Sequence, residues 1–197
     1  KFLKLKSTMK KLIMMLAMLN NSYSTNNTIE IIIDTEMGPV ILELFPEKAP
    51  ITVSNFLRYV DENRYEDFHF YRTVHLQNQP KNDIKIEVIQ GGLKSINHPK
   101  LLNPIPHETT AVTTIKHLDG TISMARTNPG TANSEIFICI NNQPSLDFNG
   151  KRNPDGQGFA AFGRVKSGME VVRKIQNKPS KNQILKPIIK VKSIRRN

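Results

Sequence analysis

Gly, Pro and Asn break this chain at short intervals, and the apolar runs between the breaks are short enough to read as strands. Eight such runs stand out: 30–34 (EIIID), 40–45 (VILELF), 68–74 (FHFYRTV), 86–90 (IEVIQ), 120–126 (GTISMAR), 135–140 (EIFICI), 160–165 (AAFGRV) and 187–194 (PIIKVKSI). Stretches such as NPGTAN and NPDGQG separate them. Val40, Leu42 and Leu44 alternate with Ile41 and Glu43, and Glu36-Met37-Gly38-Pro39 links the first two runs as a hairpin. Only two segments carry a helical period. Val53, Phe56, Leu57 and Val60 make one apolar face behind Pro50, and residues 168–176 (GMEVVRKIQ) make a second. The connections are too short and irregular for repeated parallel βαβ units. A mainly antiparallel barrel or sandwich, with helices over its open ends, fits the pattern.

The 197 residues suit one domain, and the formal charge of +11 sits at the ends. Residues 1–11 hold five lysines, and 164–197 hold eleven Lys/Arg against Glu170. The remainder has twelve basic and sixteen acidic residues, so the folded body lacks the basic stripe of a nucleic-acid module. Cys139 is the lone cysteine, which excludes a disulfide framework and reads as a small buried hydrophobe. Met9-Lys10-Lys11, an eight-residue apolar run and the small-x-small site Ser22-Tyr23-Ser24 fit a secretory signal. Residues 1–28 are therefore expected to be a signal peptide and N-terminal segment, and 29–197 the domain with its basic C-terminal segment. The rival reading is an apolar helix packed on the domain. No later segment reads as transmembrane.

Nine stretches carry a family pattern in order: GPVILELFPEKAPITVSNF, FYR, QGG, PIPHE, GTISMAR, SEIFICI, SLD, FAAFGRVKSGMEVVRKI and KPIIKVKSI. Over roughly residues 29–194 the chain resembles the cyclophilin family of peptidyl-prolyl cis-trans isomerases, most closely the bacterial periplasmic type. The resemblance implies a closed eight-stranded antiparallel β-barrel capped by two α-helices. It also implies a groove on the barrel's outer surface, because side chains fill so small a barrel.

Such an enzyme has to lower a rotation barrier of about 18–20 kcal/mol that arises from C–N double-bond character. Millisecond turnover in place of tens to hundreds of seconds takes about 5.5–7 kcal/mol. No nucleophile, metal or cofactor is required. A cation near the prolyl nitrogen, an apolar pocket for the ring and polar anchors for the flanking backbone suffice. By resemblance, Arg72 is the catalytic cation and Gln90 anchors substrate and orients it. Phe137 floors the proline pocket, with Leu146 beside it, Val88 on the wall and Phe159 at a position the family fills with histidine or an aromatic. Ala125, Arg126 and Thr127 match the strand that pairs with the substrate backbone. The implied partners are proline-containing polypeptides, met by a monomer in the periplasm or outside the cell, or in the cytoplasm if the signal reading fails. The implied task is folding of exported proteins.

Several residues depart from the family. Glu135 replaces the usual glutamine and is expected either to orient Arg72 or partly to neutralise it. Glu87 makes the rim more polar. Ser145 stands where many eukaryotic members have the tryptophan linked to cyclosporin binding, so weak cyclosporin affinity is expected. His69, His75 and His107 lie near matched motifs and are read as surface or satisfied side chains, not ligands. In the family about seven residues separate the arginine from the glutamine; here seventeen do. The extra residues are expected at a loop tip around His75–Lys85, where insertions are cheap, with the loop tuning which peptides enter. The rival to an isomerase is a cyclophilin-like module that holds proline segments with weak or no catalysis.

Overall fold

The computed structural model describes residues 27–197, so the proposed signal lies outside the described residues. Strands β1 (Ile29–Thr35) and β2 (Gly38–Leu44) form the expected hairpin, with Thr35 paired to Gly38. Ile31, Ile33, Val40, Leu42 and Leu44 all point inward and are fully buried, as the two-residue alternation requires. Then follow α1 (Pro50–Asp61), β3 (His69–Val74), β4 (Val88–Gly92), the short helix α2 (Thr110–Thr113), β5 (Thr121–Met124) and β6 (Ile136–Cys139). The chain ends with β7 (Ala160–Ser167), α3 (Met169–Gln176), β8 (Ser180–Lys181) and β9 (Ile184–Arg196).

Eight strands pair antiparallel in the order β1-β2-β7-β5-β6-β4-β3-β9, and β9 pairs back onto β1. The thirteen-residue β9 makes closure possible. Its first half lies along β3 and its second half along β1, leaving no open edge there. The two-residue β8 folds back on the start of β9. All eight expected strands are present, with ends shifted by a few residues. Four short elements were not anticipated: α2, β8 and two single-turn 3₁₀ segments at Leu76–Asn78 and Pro144–Leu146. Each is too short to leave a period.

Helix α1 buries Val53, Phe56, Tyr59 and Val60, while Leu57 is only partly buried. Its N-terminus follows Ala49, which offers no capping side chain. The Glu108 carboxylate does this work from a distance. It accepts from the Ile51 and Thr52 N–H groups at 3.1 and 2.7 Å and from the Thr52 hydroxyl at 2.6 Å. PIPHE thus ties the helix to the barrel. The Phe56 ring lies 5.4 Å from Phe162 and 5.6 Å from Tyr65, centroid to centroid. Phe56→Ala is expected to lower stability by about 3–5 kcal/mol, read by chemical denaturation at unchanged m-value.

Candidate active site

Alternation sends two sets of side chains from β3, β4 and β6 to opposite faces. Ile89, Ile136 and Ile138 join the barrel core, whereas Val74, Val88, Phe137 and Cys139 point outward. With Ile86 and Leu146 these form a second apolar cluster on the outer surface, edged by Ala125 and Phe159. Phe137 is therefore a surface-pocket residue and not barrel core. Arg72 pairs across strands with Gln90, and Gln90 with Phe137, so all three share one row.

A bulge in β3 completes the row. Phe70 pairs with Gly91 and Arg72 with Gln90, leaving Tyr71 without a partner in the ladder. Simple alternation would send Tyr71 and Arg72 to opposite faces. The extra residue lets the Tyr71 hydroxyl reach the same polar chain as Arg72.

That chain is continuous. Arg72 Nη1 donates to Gln90 Oε1 at 2.7 Å, Gln90 Nε2 donates to the Tyr71 oxygen at 2.8 Å, and the Tyr71 hydroxyl donates to Glu135 Oε2 at 2.6 Å. Glu135 Oε1 accepts from the Lys94 N–H at 2.8 Å and from the Ser134 hydroxyl at 3.2 Å. On its other edge the guanidinium donates through Nε (3.0 Å) and Nη2 (2.6 Å) to Gln183 Oε1. Both direct partners of Arg72 are neutral amides. Of its five N–H donors, two have no partner among the described residues. Burial pulls the Arg72 pKa down; nearby Tyr71 opposes this and the neighbouring Arg152 charge adds to it. Burial and the Glu135 carboxylate push the Tyr71 phenol well above its ordinary range, so the hydroxyl stays a donor.

Beside this row lies a cavity of about 220 Å³. Val88, Gln90, Ala125, Arg126, Phe137, Leu146 and Phe159 line it together with Arg72, Ile86, Arg152 and Asn153. It is smaller than an ordinary drug-sized site and suits one small ring. A larger depression of about 770 Å³ lies between α1 and residues 101–105, but its Arg58 and Arg64 are both paired with Glu62 and no reacting constellation faces it.

The pocket walls are fixed from behind. Phe159 meets Phe137 edge-on at 5.3 Å. Arg126 stacks over Phe159 at 5.2 Å, forks onto Asp155 at 2.8 and 3.0 Å, and donates to the Gly158 carbonyl. These Arg126 hydrogen bonds hold Asp155 down at about 2. The Arg126 side chain is thus consumed in holding the 153–159 loop. Under Phe137, the His117 ring stacks at 5.9 Å, with Nδ1 2.8 Å from Asp147 and Nε2 3.0 Å from the Ser123 hydroxyl. Ser123 and His117 are buried beneath the aromatic floor, so this Ser-His-Asp set is a support and not a nucleophile.

The structure thus gathers Arg72, Gln90, Val88, Ala125, Arg126, Phe137, Leu146 and Phe159 at one cavity. Thr127 and Glu135 do not line it. Thr127 bonds Thr131 in the adjoining turn, and Glu135 stands two hydrogen bonds behind Gln90. Glu87 bonds Asn141 instead of facing the pocket. His69 and His75 have local acceptors, whereas His107 keeps one partner, the Gln157 carbonyl, and its buried Nδ1 has none among the described residues. Burial raises the Cys139 thiol well above its ordinary range, in keeping with an inert hydrophobe. Tyr71, His117, Asp147, Arg152 and Gln183 escaped the sequence reading. Tyr71, inside FYR beside Arg72, and Asp147, inside SLD beside Leu146, stood in matched motifs next to named residues.

Residues 28–196 match the family described as cyclophilin type peptidyl-prolyl cis-trans isomerase/CLD. The chain is 35% identical over 147 residues to a peptidyl-prolyl cis-trans isomerase of Acinetobacter baylyi, covering 74% of this chain and 71% of that one. It is 33% identical over 143 residues to peptidyl-prolyl cis-trans isomerase B of Escherichia coli, covering 72% and 80%. A Cryptosporidium parvum cyclophilin type isomerase, crystallised in the presence of the dipeptide Ala-Pro, has the same fold. Its TM-score is 0.66 at 24% identity, over 85% of this chain and 98% of that one.

One consequence of the buried support is acid sensitivity. Burial alone would raise the Asp147 carboxyl, but hydrogen bonds from the His117 ring and backbone N–H outweigh it, and the pKa is lowered. A lowered carboxyl contributes stability above its unfolded value, about 3.9, and loses it as pH falls through the folded value. Asp147→Asn is therefore expected to melt below the parent near neutrality. In melting curves taken across pH, that gap should narrow as pH falls below about 4.

Proposed function

The chain belongs to the cyclophilin-type peptidyl-prolyl cis-trans isomerases, and from that premise we propose that Arg72 catalyses X-Pro rotation in polypeptides seated on the Phe137 pocket. The observation that carries this is a cation held at the pocket's edge, among the described residues, by neutral groups alone. Its two uncommitted N–H groups point a full positive charge at the prolyl nitrogen. That charge favours the lone pair on nitrogen over its delocalisation into the carbonyl, and so weakens the C–N double-bond character that sets the barrier. Burial strengthens the interaction, because less water competes for the guanidinium.

The other roles follow from position. Val88, Phe137, Leu146 and Phe159 hold the pyrrolidine ring. Gln90 anchors the substrate carbonyl while orienting Arg72. The backbone of Ala125, Arg126 and Thr127, just beyond the end of β5, pairs with the residues preceding proline. Glu135 supports the arrangement through Tyr71. It has no direct bond to Arg72, which argues against a neutralised site and against the reading of a binding module without catalysis.

The pattern of residues 9–24 supports export, and with it folding of exported proteins in the periplasm or outside the cell as the physiological task. Action as a monomer is part of the same proposal. Expression of the chain followed by mass measurement of the recovered protein tests export; recovery of the unprocessed chain in the cytoplasm would remove that part of the proposal.

For the catalytic role, protease-coupled isomerisation of a proline tetrapeptide is compared in the parent and Arg72→Ala. The expected loss in kcat/KM is on the order of a hundredfold. Equal rates for the two proteins would contradict the role of Arg72.

A further inference from the structure

The β8–β9 hairpin turns through Asn182 and Gln183, both left-handed, with φ of 51° and 68°. That is the two-residue turn whose second position is ordinarily glycine. A glutamine there is held in a conformation that L side chains seldom adopt, and such outliers persist where the surroundings over-determine them. Here the surroundings are Arg72 and the inserted segment. Gln183 Oε1 takes two hydrogen bonds from the far edge of the Arg72 guanidinium, at 3.0 and 2.6 Å. Gln183 Nε2 donates to the Asn78 carbonyl at 3.1 Å, and the Gln183 carbonyl accepts from the Thr73 N–H at 2.9 Å.

The insertion is built to hold that carbonyl. Asn78 Nδ2 donates to the Thr73 carbonyl at 3.0 Å, and its Oδ1 accepts from the His75 N–H at 3.0 Å. Gln79 is buried. Its amide donates to the His75 and Ile86 carbonyls and accepts from the Ile86 N–H, bridging the two ends of the segment. Arg152 donates to the Ile84 carbonyl from the pocket side. The extra residues are therefore an ordered strut and not a loop free at its tip.

We propose that Gln183 is a positioning residue for Arg72, and that the segment 75–86 exists to fix Gln183. This rests on Arg72 being the catalytic cation. Gln90 grips one edge of the guanidinium and Gln183 the other, so the plane of the fork is set and the two remaining N–H groups have one direction left. With Gln183 removed, the guanidinium rotates about the Gln90 bond. The pocket that binds the ring is untouched.

Gln183→Gly tests this, because it removes the side chain while giving the turn the residue it favours. The fold should be kept, with a melting temperature equal to or above the parent's. The expected result is a fall in kcat of roughly tenfold or more at a KM within about twofold. Gln183→Met, which keeps the bulk but not the acceptor, should lose kcat to a similar extent. In an Arg72→Ala background, Gln183→Gly should change nothing further. If kcat of Gln183→Gly equals that of an active parent, or if only KM rises, the positioning role is wrong. A parent with no rate above background sinks the isomerase reading itself, and so the two failures are told apart.

Discussion

The outer-face pocket of this barrel is arranged around a half-buried guanidinium that has no direct ion pair among the described residues. Removing a charge from water is costly, and the usual remedy is an opposite charge. At Arg72 the compensation comes from two side-chain amides, which satisfy three N–H donors and leave the charge whole. A carboxylate in either place would stabilise the arginine and weaken the pull on a prolyl nitrogen proposed for it. Glu135, the carboxylate on this hydrogen-bonded chain, is kept two hydrogen bonds behind Gln90 by Tyr71. The β3 bulge that brings Tyr71 to this face is what lets an acidic residue support the site without quenching it.

The scaffold explains how so few contacts suffice. Arg72, Gln90 and Phe137 stand on three adjacent strands of a closed sheet, about 4.8 Å apart in the hydrogen-bonding direction. Closure depends on β9 running past both β3 and β1, and β8 and β9 also carry the turn that presents Gln183. The barrel core and the pocket are two apolar clusters on opposite faces of the same strands. Packing inside therefore fixes the position of the outer row, and the His117–Asp147–Ser123 set props the aromatic floor from beneath.

What could be read from the chain was whatever a period or a contiguous motif records. Alternation at Val40, Leu42 and Leu44 marked a strand, and the spacing of Val53, Phe56 and Val60 marked α1. FYR and QGG marked Arg72 and Gln90. The missing parts are those that depend on register or on distant partners. The bulge at Tyr71 exists only in the pairing of β3 with its neighbours β4 and β9, and local sequence does not specify it. Gln183 lies far from Arg72 along the chain and sits in a turn whose chemistry argues for glycine. The polar run 75–86 reads as a free loop because Asn and Gln favour solvent on average. Its order comes from the buried amide of Gln79, which bonds the backbone at both ends of the segment, together with hydrogen bonds from Asn78 and Arg152.

The proposed active charge is a guanidinium whose direct partners among the described residues are all neutral. The direct measurement is the pH dependence of kcat for cis-trans exchange of a saturating proline peptide, followed by NMR so that no coupled protease limits the range. A constant kcat between about pH 5.5 and 8.5 is predicted, since arginine does not titrate there. A kcat that rises or falls through that range with the titration of a single group would contradict it, and would move the catalytic proton or charge to a carboxylate or histidine.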